Sequence, residues 1–176
     1  MEKTKHARYV EKTLEYFKKA GIILTEEEKT RIEIADFGLN KSDEIGLQIL
    51  TYVNTERVCA KEMVLFPHQT CPEHKHVPSY GNEGKEETFR CRYGKVFLYV
   101  EGESERKNVA AKLPSTALSV FHEIILLPGE QYTIFPGTLH WFQAGDSGAV
   151  VSEFSTRSTD ETDVFTDDKI VRTPEK

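Results

Sequence analysis

The segment His74-Lys75-His76 holds the first residues that could do chemistry. On a strand, side chains at i and i+2 point to one face, so two imidazoles spaced this way can share a metal ion. Pro72 and Pro78 flank the pair, which reads equally well as two loop histidines when taken alone. Two further residues add weight. Glu87 stands seven positions before Gly94, and His140 follows the tight turn Pro136-Gly137 at the start of a strand-like run. Glu86 and Glu87 face opposite ways on an extended chain, so only one can look inward, and the spacing to Gly94 favours Glu87. His6 reads as a solvated helix residue and His122 as an ordinary strand residue. His68, after Pro67, reads as a loop residue that could face the same cavity.

These side chains need a frame, and the frame changes along the chain. The first twenty residues pattern as an amphipathic helix, with Val10, Leu14 and Phe17 at i, i+4 and i+7 and Gly21 as a stop. Thr25 starts a second, short helix through a capping box with Glu28. The turn-rich run Asp36-Phe37-Gly38-Leu39-Asn40 closes the helical part. From about residue 47, short apolar stretches alternate with Gly, Pro and Asn, and 47–53, 57–66, 88–100, 118–127, 131–135 and 149–154 read as strands. Many short strands with turns between them predict a β-sandwich or barrel. Residues 101–116 predict a long exposed hairpin. The polar, acidic tail after Arg157 has Val164, Phe165 and Ile170 as anchors. The organisation expected is one domain: a helical segment over 1–46 packed on a barrel with its tail over 47–176.

Composition narrows the partners. The 176 residues carry a net charge of −6 with 38% apolar and 30% charged residues, which suits a folded, soluble chain. With no Lys/Arg block, neither nucleic acid nor an anionic membrane surface is expected as a partner, since both need a concentrated positive field. The apolar runs fall far short of the roughly 20 residues of a membrane helix. The charged first twenty residues do not pattern as a secretory signal. Cys59, Cys71 and Cys91 form no C-x-x-C and cannot pair completely, so free structural thiols in a cytoplasmic setting are expected.

Taken together, His74-Lys75-His76, Glu87 with Gly94, and Pro136-Gly137-Thr138-Leu139-His140 resemble the two cupin motifs. The departures are a ten-residue gap between His76 and Glu87, which implies an inserted loop over 77–85, and His68 where a glycine would stand. Pro136-Gly137 lacks the motif's intervening residue, and Ala144 replaces its asparagine. Four blocks, QTCPEHKH, KEETFRCRYG, PGEQYTIFPGTLHWFQAG and SEFSTRSTDETDVFTD, are similar to the bacterial D-lyxose ketol-isomerase family and span about the last two-thirds of the chain. The resemblance implies an all-β cupin β-barrel (jelly-roll) with N-terminal helices. It also implies a divalent metal, usually Mn2+, and interconversion of D-lyxose with D-xylulose, often with D-mannose/D-fructose activity. Carried over by position, the metal ligands are His74, His76, Glu87 and His140, a set that also suits Co2+, Ni2+, Fe2+ or Zn2+.

An isomerase also needs a group that moves a proton between C2 and C1. Glu153 is the first candidate, because alternation puts it on one side with Val151, and a glutamate facing an apolar barrel has a raised pKa. Lys61 is the second, as a proton relay or as a cation near O1 and O2. Gln69 and Asp163 could bind sugar hydroxyls, and Trp141 could wall the C–H face of the sugar. For Lys61, Gln69 and Asp163 the competing reading is a solvated side chain, and for Trp141 it is core packing. An iron-dependent dioxygenase, a sugar-phosphate isomerase using Arg90 and Arg92, and a non-catalytic sugar-binding module are the competing functions. A homodimer is expected from cupin habit.

Overall fold

A computed structural model describes residues 3–81 and 83–172. Residues 1, 2, 82 and 173–176 lie outside the described part, Asn82 among them from the middle of the expected insertion over 77–85. Helix α1, Lys3–Lys19, forms as the periodicity predicts. Its buried edge is Tyr9, Thr13, Tyr16 and Phe17, with Val10 and Leu14 only half-buried. The aromatic rings set this rotation: Tyr9 and Tyr16 both lie on Phe66, with ring centroids 5.2 and 5.7 Å away. Helix α2, Glu26–Thr30, starts at the expected capping box. There the Glu28 N–H donates to the Thr25 hydroxyl and the Thr25 N–H donates to the Glu28 carboxylate at 2.7 Å. The N-terminal segment is not wholly helical, because Glu33–Ala35 pairs as strand β1 with the first barrel strand.

The remaining strands are β2 (Leu47–Asn54), β3 (Cys59–Leu65), β4 (Thr70–Lys75), β5 (Glu87–Val100), β6 (His122–Leu126), β7 (Gln131–Ile134), β8 (His140–Ser155) and β9 (Val164–Phe165). They pair antiparallel in the order β1-β2-β3-β8-β4-β9, while β5 runs beside β8 and carries β6 and β7 on its other edge. Two long strands make the sheet curl. The second half of β8 lies against β3, its first half against β4, and β5 follows both halves. Bulges at Cys91/Tyr93 and Gly94/Val96 bend β5 so that it can do this. Gly94 sits at φ 76°, where a Cβ would lie 1.9 Å from the Gly148 carbonyl oxygen, so the close crossing of β5 and β8 admits only glycine. The product is the all-β cupin barrel with helices outside it that the resemblance implies.

Sequence patterning gives β8 in two pieces, a strand start at His140 and a strand over 149–154, because Gly145 and Gly148 read as breaks. It leaves His74-Lys75-His76 open between strand and loop, because Pro72 and Pro78 flank it, and the structure makes His74 and Lys75 the end of β4. Pro72 lies within a register irregularity between Cys71 and His74, where the ladder asks no N–H of it. The concave face is filled by Ile49, Met63, Leu65, Phe89, Cys91, Phe142 and Val151. The convex face is covered by α1 through Leu50, Val64 and Val150. The connection from β5 to β6 is less exposed than expected. Its later part covers Tyr99 and Trp141, and the buried Glu73 carboxylate accepts from the Ser119 and Val120 N–H groups at 2.7 and 2.9 Å.

Candidate metal centre

At one end of the barrel, His74 from β4, His76 just beyond it, Glu87 at the start of β5 and His140 at the start of β8 come together. One ligand atom from each lies within 4.8 Å of all the others. Two ligands on one ion are separated by at most about twice a metal–ligand bond, roughly 4–4.5 Å, so small side-chain shifts suffice to share a cation. The register supplies part of the convergence, since His74 is the partner of His140, while Glu87, whose own partners are Ile134 and Ser155, meets them across the curled sheet with Oε1 3.0 Å from His140 Nε2. Glu86 points to solvent while Glu87 is buried, as the spacing to Gly94 suggested.

Each imidazole gives its Nδ1 to an acceptor outside the cluster. His74 Nδ1–H donates to the Pro72 carbonyl at 2.8 Å, His140 Nδ1–H to the Thr138 carbonyl at 3.0 Å, and His76 Nδ1–H to Asp163 Oδ1 at 2.5 Å. Those bonds place a proton on each Nδ1, so that a neutral ring turns its Nε2 lone pair inward, the arrangement that metal-ligating histidines share. Among the described residues, His140 Nε2 is buried with no hydrogen-bond partner, 3.0 Å from Glu87 Oε1. A buried nitrogen left orphaned beside a carboxylate is what a cation would satisfy. Three imidazole nitrogens and one carboxylate oxygen suit a first-row divalent metal, so the residues fit the ion that the resemblance implies.

The electrostatics are strong because everything is buried. Burial and the two neighbouring rings hold His74 well below the usual imidazole range, so it is neutral. His76 also resists charging through burial and Lys85, yet Glu87 and Asp163 outweigh both and push it up to about 9. Glu87 is opposed by burial and still held well below the usual carboxylate range by Lys85 and His76.

Beside the cluster lies a second set of charges. Lys85 Nζ is 2.6 Å from Glu87 Oε2 and 3.2 Å from Glu153 Oε1, so it joins the carboxylate of the cluster to the proton-transfer candidate. Lys61, the register partner of Glu153, donates to Ser158 at 2.8 Å and to Asp160 at 2.9 Å, with Glu153 Oε1 3.9 Å away. Arg172 reaches in from the tail to Asp160 at 3.1 Å and to Glu33 at 2.5 Å. Burial alone would strip Lys61 of its proton, but Glu153 and Asp160 outweigh that, and both lysines stay above the usual ammonium range. Glu153 therefore faces ion pairs where the sequence predicted apolar surroundings.

The cavity these residues line holds about 30 Å³ and is apolar on its other wall, with Phe37, Met63, Phe89, Phe142 and Phe165. Asp163 lines it, with its Oδ1 bound to His76 Nδ1. Gln69 and Trp141 do not line it. Gln69 is buried between loops, accepting from the Phe66 N–H at 2.9 Å and donating to the Ser42 carbonyl at 2.6 Å. Trp141, one residue from the inward His140, faces the opposite side, stacks on Tyr99 at 4.0 Å and donates its indole N–H to the Val120 carbonyl. His68 pairs with Asp146 at a distant rim, and Arg90 and Arg92 reach Gln131 and Ser152. Lys85, Asp160 and Arg172 are the site residues that sequence reasoning missed. Lys85 stands two positions before Glu87, and that parity was the available signal.

A family profile described as D-lyxose isomerase matches residues 5–175. The D-lyxose/D-mannose isomerase of Thermosediminibacter oceani is 59% identical over 178 residues, covering 99% of this chain and 98% of that one. The D-lyxose ketol-isomerase of Cohnella laeviribosi is 60% identical over 166 residues, 93% of this chain and 91% of that one. Among solved structures, the L-ribose isomerase of Acinetobacter sp. DL28 in complex with L-ribose superposes with a TM-score of 0.75 at 17% identity. The match covers 97% of this chain and 94% of that one, and it extends the likeness to the fold.

Proposed function

The chain belongs to the D-lyxose isomerase family and interconverts an aldose with its ketose, and on that premise we propose that the cavity beside His74, His76, Glu87 and His140 is where the reaction occurs. The sugar pair is D-lyxose and D-xylulose, with D-mannose and D-fructose second. The reaction moves one proton from C2 to C1 and one from O2 to O1 through an enediol, and it consumes no oxidant. A divalent ion in the four-residue cluster, which we take to be manganese, supplies the Lewis acid that polarises the carbonyl and stabilises negative charge on the sugar oxygens.

The chain's own residues do the rest. Glu153 takes the C2 proton and returns it to C1 on the same face. Its contacts to Lys85, Lys61 and Ser155 all use Oε1, which supports Oε2 as the proton-carrying atom. Lys61 stays an ammonium and serves as a cation beside the sugar oxygens, not as a base. Asp160 and Arg172 offer acceptors and donors for the remaining hydroxyls. Every cation in the cavity already has a carboxylate partner, which favours a neutral sugar over a sugar phosphate.

The observation that carries this reading is the juxtaposition itself: three ring nitrogens and one carboxylate converge next to a second carboxylate held between two ammonium groups. We also propose a homodimer in the cytoplasm. Exposed Phe154 and Val53 flank Ala60 in one row of the convex face, which a second copy would cover, and the three cysteines are free thiols. The test is an aldose panel read by NMR in D2O, under argon, after EDTA stripping and refilling with Mn2+, Co2+, Ni2+, Zn2+ or Fe2+. Ketose formation from D-lyxose, with deuterium at C1 and dependence on added metal, is expected. Full turnover by stripped protein, or turnover only in air, would remove the reading.

A further inference from the structure

The cavity of about 30 Å³ has room for one or two waters, whereas a pentose has ten non-hydrogen atoms, so part of its wall must move before a sugar enters. Most of that wall is sheet, locked by ladder bonds. Residues 157–163 are different. They run from the end of β8 to β9 across the mouth, and among the described residues none of their backbone groups bonds to the barrel backbone. The backbone of the 3-10 turn Asp160–Thr162 bonds only to its neighbours Thr159 and Asp163. What holds the segment is side chains: Arg157 on Glu56, Asn54 on both backbone groups of Ser158, Lys61 on Ser158 and Asp160, Arg172 on Asp160, the Ser79 hydroxyl on Thr159 and Thr162, and His76 on Asp163.

The last of these contacts sets His76 apart. His74 and His140 are oriented by carbonyls two residues from themselves, within rigid chain. His76 is oriented by a carboxylate that the movable segment delivers from 87 residues away. Removing an outer partner of a metal-bound histidine typically weakens metal binding about 10–100-fold.

We propose that residues 157–163 form the gate through which sugar enters, and that Asp163 is a positioning residue that couples closure of this gate to metal loading. This rests on the metal site proposed above. With the gate shut, Asp163 orients His76 and raises its basicity toward the ion. Compared with a neutral ring, an ion on Nε2 would make the Nδ1–H a stronger donor and draw Asp163 in. Linkage makes the two effects equal, so whatever factor closure adds to metal affinity, the metal adds to closure. Asp160 travels on the same segment, so opening the gate would also loosen Lys61 and Arg172 and make room for the sugar.

The test uses the full chain and Mn2+ alone, without sugar. Hydrogen exchange of the 157–163 amides, followed by mass spectrometry, should slow when Mn2+ binds, and Mn2+ affinity is measured by competition with a chelator. Asp163→Ala, with Asp163→Asn as the shape-conserving variant should the first fail to fold, should weaken Mn2+ about 10–100-fold. At saturating Mn2+ it should also abolish the metal-dependent slowing. Asn54→Ala releases Ser158 without touching any ligand. It should speed exchange with and without Mn2+ while keeping the slowing that the metal causes. Wild-type protein that binds Mn2+ with no change in exchange, or Asp163 variants that match wild type in affinity and slowing, would overturn the coupling and leave the metal site standing. Wild-type protein that binds no Mn2+ would overturn both.

Discussion

Glu153→Gln separates chemistry from structure, because the amide has the carboxylate's shape. In the folded protein Glu153 Oε1 meets Lys85 at 3.2 Å, Ser155 at 3.0 Å and Lys61 at 3.9 Å. Losing its charge does not orphan either ammonium, since Lys85 keeps Glu87 at 2.6 Å and Lys61 keeps Asp160 at 2.9 Å. The stability cost is therefore below the ~3–5 kcal/mol of a broken buried pair. One charge-assisted hydrogen bond, about 2 kcal/mol, is the expected size. For a chain of this length that is roughly 4–8 °C in Tm, so the variant remains folded at 25 °C. The rate should respond much more. A positioned general base is worth about 10²–10⁴-fold, or roughly 3–5 kcal/mol of barrier. The assay is D-lyxose turnover by NMR with Mn2+ content and KM determined alongside. Turnover should fall by that factor while Mn2+ content is retained and KM moves by no more than a few-fold. A kcat within tenfold of wild type in a metal-loaded, folded variant would refute Glu153 as the base.

Three further outcomes test the packing and the electrostatics. Lys85→Met leaves Glu87 and Glu153 without the ammonium between them, and removing one partner of such a buried pair should cost about 3–5 kcal/mol. The loss of Tm should be larger in EDTA than in Mn2+, because the ion replaces part of the missing charge, and equal losses in the two conditions would contradict this. Trp141→Phe should leave KM for D-lyxose within about twofold and lower stability by roughly 1–3 kcal/mol, since the Val120 carbonyl loses its donor; a large rise in KM would return Trp141 to the sugar. Burial, with the hydrogen bond to Asp43, pushes the Tyr9 phenol up to about 12. The fold thus favours the neutral phenol, so its stabilisation is complete below the ordinary value near 10 and disappears as pH rises from about 10 towards 12. Thermal melts between pH 8 and 11.5 should flatten in that window for Tyr9→Phe, and an unchanged slope would discount Tyr9 as the titrating group.

The candidate metal cluster was legible because local rules offered its members and the family resemblance joined them into one set. The parity of His74 and His76, the choice of Glu87 over Glu86 and the turn before His140 are all statements about neighbours in sequence, and the four atoms meet within 4.8 Å. Local parity also contained the correction for Trp141: a residue adjacent to an inward His140 must point outward, and it does. The rest depends on pairings that no short window contains. Lys61 is buried, against the usual fate of a strand lysine, because Glu153 is its register partner and Asp160 arrives from 99 residues away. The same reason hid Arg172, whose partners Glu33 and Asp160 lie at opposite ends of the chain.

Charge counting connects these cases to the chemistry. The cavity places four carboxylates, Glu87, Glu153, Asp160 and Asp163, against three permanent cations, Lys61, Lys85 and Arg172. A buried imbalance of one negative charge is expensive unless a cation joins it. In the metal-free chain the imidazole of His76 can play that part, since its neighbours push it up to about 9. A divalent ion held by His74, His76, Glu87 and His140 would do so with charge to spare, and would supply electrostatic stabilisation for negative charge on a sugar oxygen. The acidic residues that look like a solvated tail in the sequence, Asp160 and Asp163, are thus half of the carboxylates that balance Lys61, Lys85 and Arg172 beside the candidate metal site.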